Sequence, residues 1–207
     1  MSPASILGNT SRTIPASVTS IGYRAFNDCS RLASVTFGEN SQLTSIGPEA
    51  FSGCSSLTSI TLPASVTSIG YGAFCYCTGL ASIMIPASVT SIGGEAFYNC
   101  TGLTSVTFDE NGQLAEIGKY AFYNCTGLAS ITIPSSVTSI GTQAFYLCSS
   151  LKSVTFEVTE GWRYHFSSTD TSSTSISATR LADPATAASC LTSRSYGYYA
   201  DYYWKRG

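Results

Sequence analysis

The stretch Ala96-Phe97-Tyr98-Asn99-Cys100-Thr101-Gly102-Leu103 decides the architecture of this chain, because its pattern A-F-x-x-C-x-x-L returns six times. The phenylalanines of the six copies are Phe26, Phe51, Phe74, Phe97, Phe122 and Phe145, so successive copies lie 25, 23, 23, 25 and 23 residues apart. A fixed period of this length is typical of a solenoid, in which each repeat buries its apolar side only against its neighbours. The sequence therefore predicts a stack of similar coils.

One repeat predicts a short strand, a turn and a helical turn. In the third copy, the apolar residues two apart at the end of residues 80–85 indicate a strand with one buried face, and Pro86 ends it because proline lacks an N–H group. Equivalent strands are predicted to end at Ile14, Phe37, Leu62, Ile85, Phe108, Ile133 and Phe156. Gly93 then suits a tight turn, and the spacing of Ala96, Phe97 and Cys100 predicts a single turn of 3₁₀ or α-helix.

These units resemble the BspA-like leucine-rich repeat family, whose repeats read much like I-P-x-S-V-T-S-I-G-x-x-A-F-x-x-C-x-x-L-x-S-I. The resemblance covers residues 13–156 and implies an α/β repeat solenoid, a leucine-rich repeat right-handed superhelix with a short parallel sheet on its concave face. Two units depart from the pattern, because residues 37–43 and 108–114 replace the five-residue I-P-x-S-V segment with seven residues. The two departures lie 71 residues apart, which indicates that a block of three repeats was duplicated.

The cysteines follow the repeat rather than a metal-binding pattern. Six of the eight, namely Cys29, Cys54, Cys77, Cys100, Cys125 and Cys148, share one offset and are predicted to stack inside the solenoid as free thiols that behave as small hydrophobes. Disulfides between neighbouring coils would distort the equal spacing of the strands. The pair Cys75-Tyr76-Cys77 lacks a second pair, and the sole histidine, His165, is far along the chain. No metal and no cofactor are therefore predicted.

The repeat pattern ends at Phe156, so we expect a solenoid domain of residues 1–156 and a C-terminal capping module of residues 157–207. Alternating aromatic residues predict a strand over residues 162–166, and the aromatic residues of 196–204 predict another. Asp183 and Pro184 have the types preferred at a helix N-cap and first helical position, so a helix is expected from there to about Leu191.

Residues 160–206 also resemble the ending of treponemal leucine-rich repeat proteins, which carry D-P-A-x-x-A followed by Y-Y-W. The last coil of a solenoid exposes its core and needs a cover. We therefore expect the aromatic residues of the tail to cover Leu151, Val154 and Phe156. An aromatic ligand site in the tail is the alternative interpretation.

Composition excludes several classes of function. Only 11% of residues are charged, with 10 basic against 12 acidic residues and no basic stripe, so nucleic-acid binding is not expected. No apolar run approaches the roughly 18 residues of a membrane span. Residues 1–7 lack the basic and apolar regions of a secretory signal, so either the protein stays inside or a signal and part of the first repeat lie outside this sequence.

No set of catalytic residues can be identified from this sequence. One histidine and scattered carboxylates, of which Glu49 and Glu95 are expected to face solvent, give no pair or triad of titratable groups, so no enzyme is predicted.

The candidate site is a surface. Eleven of the twelve residues predicted to point outward from the strands are serine or threonine, and the exception is Met84. The predicted binding residues are Thr36, Thr61, Met84, Thr107, Thr132 and Thr155 on the strands, with Tyr98, Tyr123 and Tyr146 after the buried phenylalanines. Strand propensity and pairing of threonines across strands explain the hydroxyl residues equally well.

These observations favour a non-enzymatic protein–protein interaction scaffold. The family resemblance implies a bacterial protein of the cell surface or periplasm that mediates adhesion and host interaction, with a host matrix or envelope protein as partner. The alternative is a carbohydrate-binding module that uses the Ser/Thr concave face and the exposed tyrosines. Ranks of S-x-T on parallel strands also resemble ice-binding solenoids, but curvature and the mixed Ser/Thr columns argue against that class.

Overall fold

The structure is a computed structural model that describes residues 10–165, 174–192 and 202–207. Each coil contributes one strand to each of two sides. Numbered along the chain, the strands of the first side are β1 (Ser11–Ile14), β3 (Ser34–Phe37), β5 (Ser59–Ile60), β7 (Ser82–Ile85), β9 (Ser105–Phe108), β11 (Ser130–Ile133) and β13 (Ser153–Phe156). Those of the second side are β2 (Ser20–Ile21), β4 (Ser45–Ile46), β6 (Ser68–Ile69), β8 (Ser91–Ile92), β10 (Glu116–Ile117) and β12 (Ser139–Ile140).

Both sides are parallel ladders in which equivalent residues pair. On the first side the order is β1-β3-β5-β7-β9, followed by a separate pair β11-β13, and on the second side β2 to β12 follow one another. In this register a serine of one strand pairs with the equivalent serine of the next strand, as in Ser82↔Ser105 and Ser68↔Ser91. The predicted solenoid of parallel strands is therefore confirmed. One strand is shorter than expected, because β5 ends at Ile60 and not at Leu62.

The segment after each second-side strand is a run of turns, not the helical turn that its spacing predicted. In the fourth copy, the N–H groups of Ala96, Tyr98 and Cys100 bond the carbonyl three residues back, whereas those of Glu95, Phe97 and Asn99 bond carbonyls of the next coil at 2.7–2.9 Å. A helix would direct every N–H group along its own segment. In this segment Glu95 and Asn99 have φ values of 57° and 56°. The hydrogen bonds to the next coil join the two coils along the segment.

A stack of phenylalanine rings fills the centre of the solenoid. The six rings from Phe26 to Phe145 lie 5.1–5.4 Å apart between neighbouring centroids and within 8° of parallel. Five of them are fully buried, and Phe26 is half-buried because it has a neighbouring ring on one side only. Offset stacking of this kind adds to the free energy gained by burying the rings.

The cysteine column lies beside this stack. Five of its six members are buried and Cys29 is half-buried, and all eight cysteines of the chain are free thiols. Each buried member donates its S–H to a phenylalanine carbonyl of the preceding coil, as Cys100 does to Phe74 at 3.0 Å and Cys125 to Phe97 at 3.1 Å. Burial raises the pKa of the thiols of Cys54, Cys77, Cys100 and Cys125, to about 12 for Cys54. The cysteine position of the repeat therefore suits a small apolar side chain that can also donate a weak hydrogen bond.

After β13 the chain forms the elements β14 (Trp162–His165), β15 (Thr174–Ser175), α1 (Ala178–Ala182), α2 (Pro184–Thr192) and β16 (Tyr203–Arg206). The helix predicted from Pro184 is confirmed, and the carboxylate of Asp183 accepts the N–H of Thr186 at 3.0 Å as an N-cap. The first predicted strand is confirmed through His165, while Phe166 lies outside the described residues. Tyr196, Tyr198 and Tyr199 also lie outside them.

This C-terminal segment continues the second side and covers the last coil. Strand β16 pairs antiparallel with β12 and with β14. The rings of Trp204 and Trp162 pack on Phe156 with centroids 6.1 and 5.4 Å away. Leu151 and Val154 are buried as well, and helix α2 packs against β13. The apolar end of the stack is therefore covered by the tail.

Candidate binding surfaces

The outward side chains of the first side form a row that we call the hydroxyl face. It contains the predicted residues Thr36, Thr61, Met84, Thr107, Thr132 and Thr155, all of which are exposed. The register places Met84 directly beside Thr107 on the neighbouring strand. Met84 is 56% exposed and interrupts this row of hydroxyl residues. At the start of the row the hydroxyls of Thr13 and Thr36 are hydrogen-bonded at 3.0 Å. The strand alternation predicted this face correctly.

Two grooves lie on the hydroxyl face beside the seven-residue turns, and the residue pattern did not predict them. The first groove, about 530 Å³, lies between Thr36 and Thr61, and the second, about 780 Å³, extends from Thr107 past Thr132 to Thr155. Ten of the eleven residues that line the first groove have counterparts 71 positions later that line the second. The longer turns thus repeat a local geometry, and the first-side ladder ends beside the second groove, between β9 and β11.

The two grooves differ in chemistry. Leu62 and Pro63 make the first groove apolar, whereas the carboxylates of Asp109, Glu110 and Glu157 line the second. The Glu157 carboxylate accepts the backbone N–H of Ser135 at 2.7 Å. The acidic residues of the second turn therefore border the hydroxyl face.

The predicted tyrosine column, Tyr98, Tyr123 and Tyr146, forms a second surface on the turn segments. Its members are half-buried rather than exposed, because their rings pack on one another with centroids 4.8 Å apart for the first pair and 5.7 Å for the second. Tyr76 extends the column with an edge contact to Tyr98 at 5.7 Å, and Tyr120 meets Tyr123 edge-on at 5.6 Å. The repeat pattern did not predict Tyr76 and Tyr120 as members of the column, because they occupy other positions of the repeat than Tyr98, Tyr123 and Tyr146.

A groove of about 470 Å³ lies along this tyrosine column. It is lined by Tyr76, Glu95, Tyr98, Tyr120, Tyr123 and Gln143. The hydroxyl face and the tyrosine column line separate grooves, so the structure does not bring the two predicted sets together in one site.

Carboxylates beside the turn segments are engaged rather than free in solvent. Glu49, expected to face solvent, is half-buried and pairs with the Arg24 guanidinium at 2.7 Å. Glu95, also half-buried, accepts a hydrogen bond from the Tyr71 hydroxyl, which together with desolvation raises the pKa of Tyr71 to about 12. Nothing in the residue types shows these pairings, because they join neighbouring coils.

Within the part of the chain that the structure describes, no group of three or more His, Cys, Asp or Glu side chains is arranged to hold a metal ion. No helix within residues 10–165, 174–192 and 202–207 is both long and apolar enough to cross a membrane.

Two parallel ladders joined by turn segments around a stack of phenylalanines define a leucine-rich repeat solenoid. The model of the BspA-type leucine-rich repeat region matches six copies over residues 7–114 and 70–185, and this chain belongs to that family. No curated protein matches the chain.

Solved structures agree with this assignment. A leucine-rich cell surface protein from Faecalibacterium prausnitzii is 38% identical over 78% of this chain, with a TM-score of 0.68. A leucine-rich repeat protein from T. pallidum is 32% identical over 69% of the chain, with a TM-score of 0.55. The chain spans 44% of the first protein and 62% of the second.

Proposed function

We propose that this chain is a non-enzymatic scaffold that binds a protein partner, and that it acts at a bacterial cell surface or in the periplasm in adhesion or host interaction. Family membership supports the proposal, as does the likeness to a structure described as a cell surface protein. Solenoids present long regular surfaces, and this geometry suits extended contact with another macromolecule.

The observation that carries the proposal is the hydroxyl face with its single apolar interruption. Met84 stands 56% exposed among exposed threonines, on the third complete repeat. Binding energy concentrates in a few residues that are ringed by near-neutral contacts, and methionine adapts its shape to a partner. We assign Met84 as the anchor and Thr36, Thr61, Thr107, Thr132 and Thr155 as the surrounding contacts.

The test compares one charge placed on two sides of the solenoid. Met84→Arg should weaken binding to an extracellular-matrix or envelope protein while leaving the unfolding transition unchanged, since the side chain points outward. Ala115→Arg adds the same charge at an exposed position beside β10 and should have no effect on binding. Surface plasmon resonance over a panel of such purified proteins gives the readout.

The competing docking site is the tyrosine column. Replacing Tyr98, Tyr123 and Tyr146 together by serine separates the two sites. If the triple variant loses binding and Met84→Arg retains it, the hydroxyl face is the wrong assignment.

A carbohydrate-binding module is the second candidate. The second groove of the hydroxyl face favours it, because the groove combines serine and threonine hydroxyls with the carboxylates of Asp109, Glu110 and Glu157. A glycan array distinguishes the two functions. Saturable glycan binding that Thr132→Val abolishes would favour the module over the protein scaffold.

We also propose that residues 1–156 and 157–207 are separate units, the second of which caps the first. The packing of Trp162 and Trp204 on Phe156 supports this division.

A further inference from the structure

The chain contains its own example of a bound guanidinium. Two residues before Phe26, the first ring of the stack, Arg24 lies 4.9 Å above the ring of Tyr23 and pairs with Glu49 of the next coil at 2.7 Å. Its Nε also donates to the same carboxylate at 2.7 Å. The guanidinium thus contacts an aromatic face and a carboxylate at once, the combination that suits its planar, delocalised charge.

The third and fourth coils repeat this arrangement without the arginine. Tyr71 and Gly72 stand where the first coil has Tyr23 and Arg24, and Glu95 stands in the place of Glu49. Gly72 holds φ +58°, close to the +53° of Arg24, so the backbone conformation is the same and the guanidinium side chain is missing. The Tyr71 hydroxyl gives Glu95 one donor, which is weaker compensation for a carboxylate than a cation.

The space beside Glu95 is open and aromatic. The groove of about 470 Å³ has this carboxylate on one wall and the rings of Tyr76, Tyr98, Tyr120 and Tyr123 on the others. The Lys119 ammonium lies 4.6 Å over the ring of Tyr120, so the rings left for an external cation are those of Tyr76, Tyr98 and Tyr123. The groove therefore offers an anionic acceptor and π faces to a cation that comes from outside.

An arginine side chain fits this groove better than a lysine side chain. A guanidinium is planar, is more weakly hydrated than an ammonium and presents several donors in one fork, so it can stack on a tyrosine and bond a carboxylate together. Its charge is opposite to that of Glu95, and its planar shape and donor geometry distinguish it from lysine, so arginine is the expected occupant.

We propose that the groove bounded by Glu95 and the tyrosine column binds an arginine side chain of the protein partner. The proposal rests on the protein-scaffold function and adds a second contact, on the turn side of the solenoid, to the contact assigned to the hydroxyl face. Its test uses isolated peptides and no partner, so it fails or succeeds separately from that function.

The probe is the peptide acetyl-Gly-Arg-Gly-amide, titrated against ¹⁵N-labelled full-length protein by NMR. It should bind saturably and shift backbone resonances of the segments around Glu95 and Tyr123. The same peptide with citrulline, which is neutral and nearly isosteric, or with lysine should bind at least about tenfold more weakly, a difference of about 1.4 kcal/mol.

Four variants locate the site. Glu95→Gln should weaken binding of the arginine peptide by about tenfold, the effect of losing one charge-assisted contact of about 1.4 kcal/mol. Glu49→Gln is the matched control, because its carboxylate already holds Arg24, and it should leave binding unchanged. Gly72→Arg should bring a guanidinium to Glu95 from the Tyr71 side, as Arg24 comes to Glu49, and should weaken binding by neutralising the carboxylate. Gly72→Ala imposes the same backbone strain without a guanidinium and should retain binding.

Three results would overturn the proposal: no saturable binding of the arginine peptide, equal binding of the citrulline peptide, or equal affinity in Glu95→Gln. If Gly72→Arg does not fold, the Glu95→Gln and Glu49→Gln pair still decides the matter.

Discussion

Replacing Phe97 by alanine removes a ring from the middle of the phenylalanine stack. Phe97 is fully buried and lies between Phe74 at 5.4 Å and Phe122 at 5.1 Å. Truncating a buried phenylalanine costs about 3 to 5 kcal/mol, and loss of contacts on both faces places this variant in the upper part of that range. We therefore expect the free energy of unfolding to fall by about 4 to 5 kcal/mol.

The matched control is Phe26→Ala at the end of the same stack. Phe26 is half-buried and contacts one ring, Phe51, at 5.1 Å, so its loss should cost about 2 kcal/mol. Urea unfolding followed by both circular dichroism and tryptophan fluorescence gives the two values, provided the transitions coincide. A cost below about 1 kcal/mol for Phe97→Ala, or equal costs at both positions, would refute the central role of the stack.

Three further outcomes are expected. Thiol reagents should label Cys77, Cys100 and Cys125 slowly in the folded protein and fully after denaturation; rapid native labelling would contradict their burial. Burial raises the pKa of Cys54 and Cys75 from the ordinary value of 9.0 to about 12, so the folded chain keeps protons that the unfolded chain releases, and the free energy of unfolding should fall as the pH rises from 9.0 towards 12. Urea midpoints measured on both sides of pH 9.0 test this, and a flat profile would argue against it. Removing residues 160–207 should cause association through the uncovered last coil, measured by light scattering; a monomeric product of unchanged stability would show that the tail is no cap.

Periodicity made the first-side strands and the buried columns predictable. A repeat position that carries phenylalanine or cysteine in six successive units has a similar environment in each, so a single interpretation of Phe97 or Cys100 holds for every copy except the half-buried first one. The Asp183-Pro184 helix start was equally clear, because N-cap chemistry is local.

The features that escaped prediction depend on neighbouring coils. The second-side strands are two residues long, as in Ser91–Ile92, which is too short to show a period of two. Glu95 takes positive φ where its N–H group bonds the next coil, and glutamate is not a residue type that predicts this conformation. The groove beside Glu95 needs rings from several coils, among them Tyr76 and Tyr120, so no single repeat contains the site.

The bonds that join the coils also determine how the protein responds to force. The N–H groups of Phe97 and Asn99, for example, bond carbonyls of the next coil, so a pull on the two ends acts directly on these links. Each coil contacts mainly its neighbours, and coils therefore detach one at a time instead of all together. Every detached coil of 23 residues releases roughly 80 Å of chain at about 3.3–3.6 Å per residue. Such stepwise lengthening would absorb mechanical work while the remaining coils keep their fold.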